Sequence, residues 1–174
     1  EKFAASGKLE SLLIQDFLIT GQSGPHLAKL AKLKQLEIFR CQAFDSQGVL
    51  ALKGMGLERL TLRGLPAVDD SAMDVLKDLP KLKKLYLHEL ESVSDSGLAN
   101  LSSLPSLELL DIWSVSKLTD ATIDVITKLP NLRELTLRGT GVTDAAVEKI
   151  LAMPKLQALT MKENGSVTEA ALKK

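Results

Sequence analysis

The stretch Leu132-Arg133-Glu134-Leu135-Thr136-Leu137-Arg138-Gly139-Thr140-Gly141-Val142-Thr143-Asp144 decides the fold. Its first half has the form L-x-x-L-x-L, in which apolar and polar side chains alternate as in a strand with one buried face. Its second half ends on Val142, Thr143 and Asp144. A Thr hydroxyl accepts a hydrogen bond from a free backbone N–H at a helix start, and an acid in the first turn suits the helix dipole. The stretch therefore reads as strand, loop, helix start.

Working outward, the same reading recurs along the chain. Leu9, Leu33, Leu57, Leu82, Leu107, Leu132 and Leu156 open seven segments, at gaps of 24, 24, 25, 25, 25 and 24 residues. Each begins L-x-x-L-x-[LIM], for example Leu107, Leu110 and Ile112, or Leu156, Leu159 and Met161. The cap-like half recurs as Phe44-Asp45-Ser46, Val68-Asp69-Asp70, Val93-Ser94-Asp95, Leu118-Thr119-Asp120 and Val167-Thr168-Glu169. Apolar residues then return every three positions, as in Met73-Leu76-Leu79, Leu98-Leu101-Leu104 and Ile123-Ile126-Leu129, which places them on one helix face. Pro80, Pro105, Pro130 and Pro154 follow and stop the helix.

One such unit cannot bury its apolar side alone, whereas stacked units form a continuous core. Stacking lays the strands in parallel on one side and the helices on the other. Helices are wider than strands, so the stack curves with the sheet on its concave side. Alternation points Leu110 and Ile112 inward and Leu109, Asp111 and Trp113 outward.

These residues give the chain, over nearly its whole length, a resemblance to the leucine-rich-repeat superfamily. The V-[TS]-D-x-x-[LI] half at a 24–25 residue period resembles the subtype of bacterial and F-box-associated, cysteine-containing-like repeats. The resemblance implies an α/β, right-handed solenoid of about seven repeats with a parallel concave sheet and short convex helices. F-box-type repeats tend to carry cysteine after the strand. Here that column reads Phe17, Cys41, Leu65, Leu90, Val115, Thr140 and Asn164. The sequence has no F-box-like segment, so no ligase role is carried over.

Composition narrows the function. Acids and bases balance at 22 each. That balance argues against nucleic acid, which usually selects a basic excess, and gives no reason to expect an anionic membrane surface. No apolar run approaches a bilayer span. Cys41 is the only cysteine, so no internal disulfide or thiolate zinc cluster forms, and the cytoplasm is favoured over secretion. No cofactor or metal is expected.

The outward strand positions form lanes. One reads Leu13, Glu37, Thr61, Tyr86, Asp111, Thr136 and Thr160; the next reads Gln15, Phe39, Arg63, His88, Trp113, Arg138 and Lys162. The single Trp and single Tyr both fall here, in adjacent repeats. Tyr, Trp and Arg are enriched among interface hot spots. Phe39, Arg63, Tyr86, His88, Asp111, Trp113 and Arg138 are thus the expected partner-binding residues, with another protein as partner.

The competing view of Trp113 is a self-contained surface cluster with His88, Arg138 and Tyr86. Tyr86, His88 and Asp111 suggest acid–base chemistry, but an open sheet lacks the pocket and placed nucleophile that hydrolysis needs, so no enzyme is expected. His88, Glu89 and Asp111 lack the spacing of a metal site. His26 reads as a surface residue, and Cys41 as the filler of a small apolar slot.

The ends are irregular. Pro25 suits a first helical turn, Gly24 stands where an apolar residue is expected, and Phe3 is the apolar residue available to cover the first repeat. No polar cap follows Leu172. The chain therefore reads as a single domain over 1–174, part of a longer protein or self-associating through an uncapped end. A structural or assembly scaffold, and a non-catalytic part of a larger enzyme or ligase complex, are the alternative functions.

Overall fold

The computed structural model describes residues 7–172, so Phe3 and the terminal lysines lie outside the described residues. Seven strands follow one another: β1 Ser11–Gln15, β2 Gln35–Phe39, β3 Arg59–Arg63, β4 Lys84–His88, β5 Leu109–Trp113, β6 Glu134–Arg138 and β7 Ala158–Lys162. They form one parallel sheet in sequence order. The register aligns equivalent residues of neighbouring repeats, so Leu85, Leu110 and Leu135 form one row and His88, Trp113 and Arg138 another. Each strand returns through a helical segment, the crossover that parallel strands require. This is the solenoid that the repeat implies.

The core is almost wholly aliphatic. Leu60, Leu85, Leu110, Leu107 and Leu132 are fully buried, and Cys41 fills its apolar slot at 0% exposure. Phe44 is the one aromatic among the largest fully buried side chains.

The helical segments are α1 Gly24–Leu27, α2 Ser46–Leu50, α3 Asp95–Leu98, α4 Asp120–Ile126 and α5 Asp144–Leu151. In the third repeat the helix is instead a 3-10 helix, Asp70–Asp78, and α3 runs on as a 3-10 turn, Ala99–Ser103. The sequence spacing does not decide this, because Met73, Leu76 and Leu79 share their three-residue period with Ile123, Ile126 and Leu129, where the α-helix α4 forms. The α-helix runs longest in α5, where Ala146, Val147 and Ile150 are buried.

The caps form as expected, but the acids that follow them do more than face the helix dipole. Thr119 and Thr143 accept from the backbone N–H two residues on. Asp95 then reaches into the next repeat and accepts from the Thr119 N–H at 2.9 Å and its hydroxyl at 2.6 Å. Asp70 does the same for Ser94, Asp120 for Thr143 and Asp144 for Thr168. Each acid thus ties its own helix to the next loop.

Gly24 stands four residues after the Thr20 cap, where the following repeats place the buried Val49, Met73, Leu98, Ile123 and Val147, so a glycine does take the place of an apolar residue there. A Cβ on Gly24 would lie 2.6 Å from the Gly48 carbonyl oxygen, and a Cβ on Gly48 would lie 2.7 Å from the Phe44 ring. The first two helices therefore need both glycines to approach this closely.

Every strand is followed by a residue in the left-handed region: Asp16, Arg40, Gly64, Glu89, Ser114, Gly139 and Glu163. This turn lifts the chain out of the sheet towards the loop. Left-handed backbone costs a non-glycine residue about 1–2 kcal/mol. Ser114→Gly is therefore expected to raise stability by about 1 kcal/mol. Urea unfolding checks this; a lower midpoint would show that the serine side chain matters more than the strain.

Candidate functional site

The exposed sheet face is built by residues that alternate with the buried leucines, so the strands themselves aim the side chains. β3 to β6 set Arg63, His88, Trp113 and Arg138 side by side in one row. The Arg63 and Arg138 guanidinium carbons each lie 4.7 Å from the centroid of the Trp113 ring. Arg63 also lies 4.4 Å from the Phe39 ring, which Arg40 contacts at the same distance. The order of the stack is Arg40, Phe39, Arg63, Trp113, Arg138.

Arg63 and Trp113 stand two strands apart, roughly 9.6 Å by backbone spacing. Their side chains meet only by leaning towards each other over the strand between, which carries His88. The His88 side chain is accordingly only 14% exposed. Its ring meets Trp113 edge-on at 5.7 Å and Tyr86 at 6.0 Å. His88 Nε2 lies 3.1 Å from an Asp111 carboxylate oxygen. The approach is off the line a hydrogen bond needs, so the two groups touch without bonding. Among the described residues, His88 Nε2 and the buried Thr61 hydroxyl have no hydrogen-bond partner. Arg59 lies 4.7 Å over the Tyr86 ring.

The arginines are held at their heads as well as along the rings. Arg138 donates to Glu163 at 2.9 and 2.8 Å, Arg40 to Asp16 at 2.7 and 2.6 Å, and Arg63 to Glu89 at 3.3 Å. The hydrogen bond and charge of Arg138 hold the Glu163 carboxyl below the usual glutamate range, and Arg40 does the same for Asp16. Exposed ion pairs contribute little stability singly. Their effect here is to fix rotamers that would otherwise be lost on binding.

The structure therefore brings together all seven expected residues: Phe39, Arg63, Trp113 and Arg138 in one stack, and Tyr86, His88 and Asp111 beside it. Sequence reading missed Asp16, Glu89 and Glu163, the acids that hold the arginines. Their signal was the column that follows each strand, where two glycines mark the left-handed turn. Trp113 has a guanidinium on each flank, so its ring is braced by its own chain and little of its π-face is free for a sugar ring. Tyr86, His88 and Asp111 lie together on the exposed sheet face. Among the described residues no cluster of metal-ligating side chains forms, and no helix is long and apolar enough to cross a membrane.

No family model matches this sequence, and no curated protein matches it. Among solved structures, the chain is similar to one in the crystal structure of the Rad7 and Elc1 complex in yeast, with a TM-score of 0.51 and 18% identity. The match covers 95% of this chain and 59% of that one. At that identity the likeness shows the fold, a leucine-rich-repeat solenoid.

Proposed function

We propose that the chain is a protein-interaction module that binds its partner on the concave sheet face, with Trp113 and its flanking arginines at the centre of the contact. The carrying observation is the braced stack of Phe39, Arg63, Trp113 and Arg138. Aromatic and arginine side chains held rigid before binding lose little entropy on contact, which is what separates hot spots from ordinary surface. Tyr86, His88 and Asp111 complete the footprint. The solved structure compared above is that of a complex, of Rad7 and Elc1. The V-[TS]-D repeats favour the bacterial and F-box-associated subtype as its setting.

Trp113→Ala and Arg138→Ala are each expected to weaken the partner by about 2 kcal/mol, roughly thirtyfold, without moving the unfolding transition. Calorimetric titration of each variant against the partner measures this. Unchanged affinity in both variants sinks the reading.

A second reading, assembly through the solenoid ends, has its own observation. Leu156, Leu159 and Met161 are only partly buried in the last repeat, whereas Leu132, Leu135 and Leu137 at the same positions are 0–1% exposed. Leu151 beside them is 64% exposed. This reading expects concentration-dependent association that survives substitution of Trp113 and Arg138.

A further inference from the structure

We propose that Arg59 and Lys84 form the part of this sheet face that grips carboxylates, and that the bound segment of the partner protein is extended and acidic where it crosses them. The inference rests on the sheet-face reading above and adds the chemistry of the partner.

The two cations stand directly opposite each other on β3 and β4, roughly 4.8 Å apart at the backbone. Like charges so placed repel unless an anion joins them. On this face Arg40, Arg63 and Arg138 each have a carboxylate partner. Among the described residues, Arg59 and Lys84 have none.

Arg59 is also pre-ordered. Its guanidinium carbon lies over the Tyr86 ring, 4.7 Å from the centroid. Stacking occupies the face of the group and leaves its N–H edge to donate, the geometry that receives a carboxylate through two parallel hydrogen bonds. Lys84 is exposed beside it and adds a second, mobile donor.

Two further features select an acidic segment and place it. Net neutrality hides a separation of charge across the solenoid. The corners entering the strands carry more cations than acids, Lys29, Lys32, Lys34, Lys81, Lys83 and Lys128 against Glu10, Glu58, Asp78 and Glu108, while those leaving them carry mostly acids, Asp16, Asp45, Asp70, Asp95, Asp120 and Asp144 against Arg40 and Lys117. An approaching anionic segment is steered to the entry side, where Arg59 and Lys84 begin their strands. Glu134, two strands on in the same row, and Glu37 on β2, diagonal to Arg59, repel carboxylates on either side of the cationic pair. The acidic part of the segment is thereby confined to the β3–β4 corner.

The probe is a short fluorescein-labelled peptide of alternating Glu and Thr, compared with its Gln-for-Glu counterpart, titrated by anisotropy against the full chain. The Glu peptide is expected to bind about tenfold tighter than the Gln peptide. The double variant R59Q/K84Q should remove that preference. K29Q/K128Q, the same charge change on the same rim, should leave it nearly intact. Equal affinity for the two peptides overturns the proposal, as does an equal loss in K29Q/K128Q. An oligothymidine that outcompetes the Glu peptide through Arg59 and Lys84 also overturns it, in favour of nucleic acid. The underlying reading fails separately. If partner binding depends on Trp113 while the peptide ignores Arg59 and Lys84, only the present inference falls. If the peptide behaves as expected and Trp113→Ala leaves the partner bound, the reading centred on Trp113 falls.

Discussion

Asp95→Ala is expected to lower the stability of the chain by about 3 kcal/mol, a large effect for one side chain at the surface end of a helix. Asp95 accepts from the Thr119 N–H, from the Thr119 hydroxyl and from the Thr122 hydroxyl. Thr122 is 1% exposed, so its hydroxyl cannot turn to water when the carboxylate is gone. A buried polar group left without a partner costs about 1–3 kcal/mol, and bonds to a charged acceptor are stronger than neutral ones.

The same site gives the effect a pH signature. Burial raises the Asp95 pKa, but the hydrogen bonds from Thr119 and Thr122 outweigh it and hold the carboxyl below the usual aspartate range. A group whose folded pKa is depressed contributes stability above its unfolded pKa, and that stability is lost as pH falls through the folded value. The gap between wild type and Asp95→Ala should therefore be full at neutral pH and close in acid below the ordinary aspartate value. Urea midpoints at the two extremes measure it. A gap that stays constant with pH would show that the ion itself contributes nothing.

The second large effect depends on position along the stack. Leu110→Ala is expected to cost about 3–4 kcal/mol, and Leu159→Ala, at the same place in the motif, about half as much. Leu110 is 0% exposed between repeats on both sides. Leu159 is only partly buried in the last strand. Deleting a side chain leaves a cavity where neighbours enclose it and less of one where solvent already reaches. Equal losses from the two variants would mean that something else covers the last repeat as completely as a neighbouring repeat would.

Much of this was legible in the sequence because the repeat spells out one unit seven times. The leucine spacing located every strand, and Leu110 and Ile112 point inward as alternation requires. The exposed row of Arg63, His88, Trp113 and Arg138 followed from that alternation alone. What was not legible depends on distances between repeats. Thr119 and Asp120 signal a helix start, but that the acid of one repeat ties down the hydroxyl of the next is set by how close the units stack. The three-residue spacing of Met73, Leu76 and Leu79 was read as an ordinary helix face, and the same spacing at Ile123, Ile126 and Leu129 does form an α-helix, so spacing alone does not announce the tighter turn of the third repeat. Gly24 was read in its place, the column where other repeats carry an apolar residue, but the close approach its missing side chain allows becomes visible only against Gly48. The braces Asp16, Glu89 and Glu163 sit in a column whose backbone is left-handed, a property the residue types themselves do not announce.

The measurement that tests the binding account most directly is capture of partners from a cell lysate by the wild-type chain beside a variant in which Arg63, Trp113 and Arg138 are all alanine. A protein held by the wild type and lost by the folded triple variant is the expected result, and it places the contact on the concave sheet face. The same proteins retained by both chains would contradict the account and move the contact to the helices or the solenoid ends.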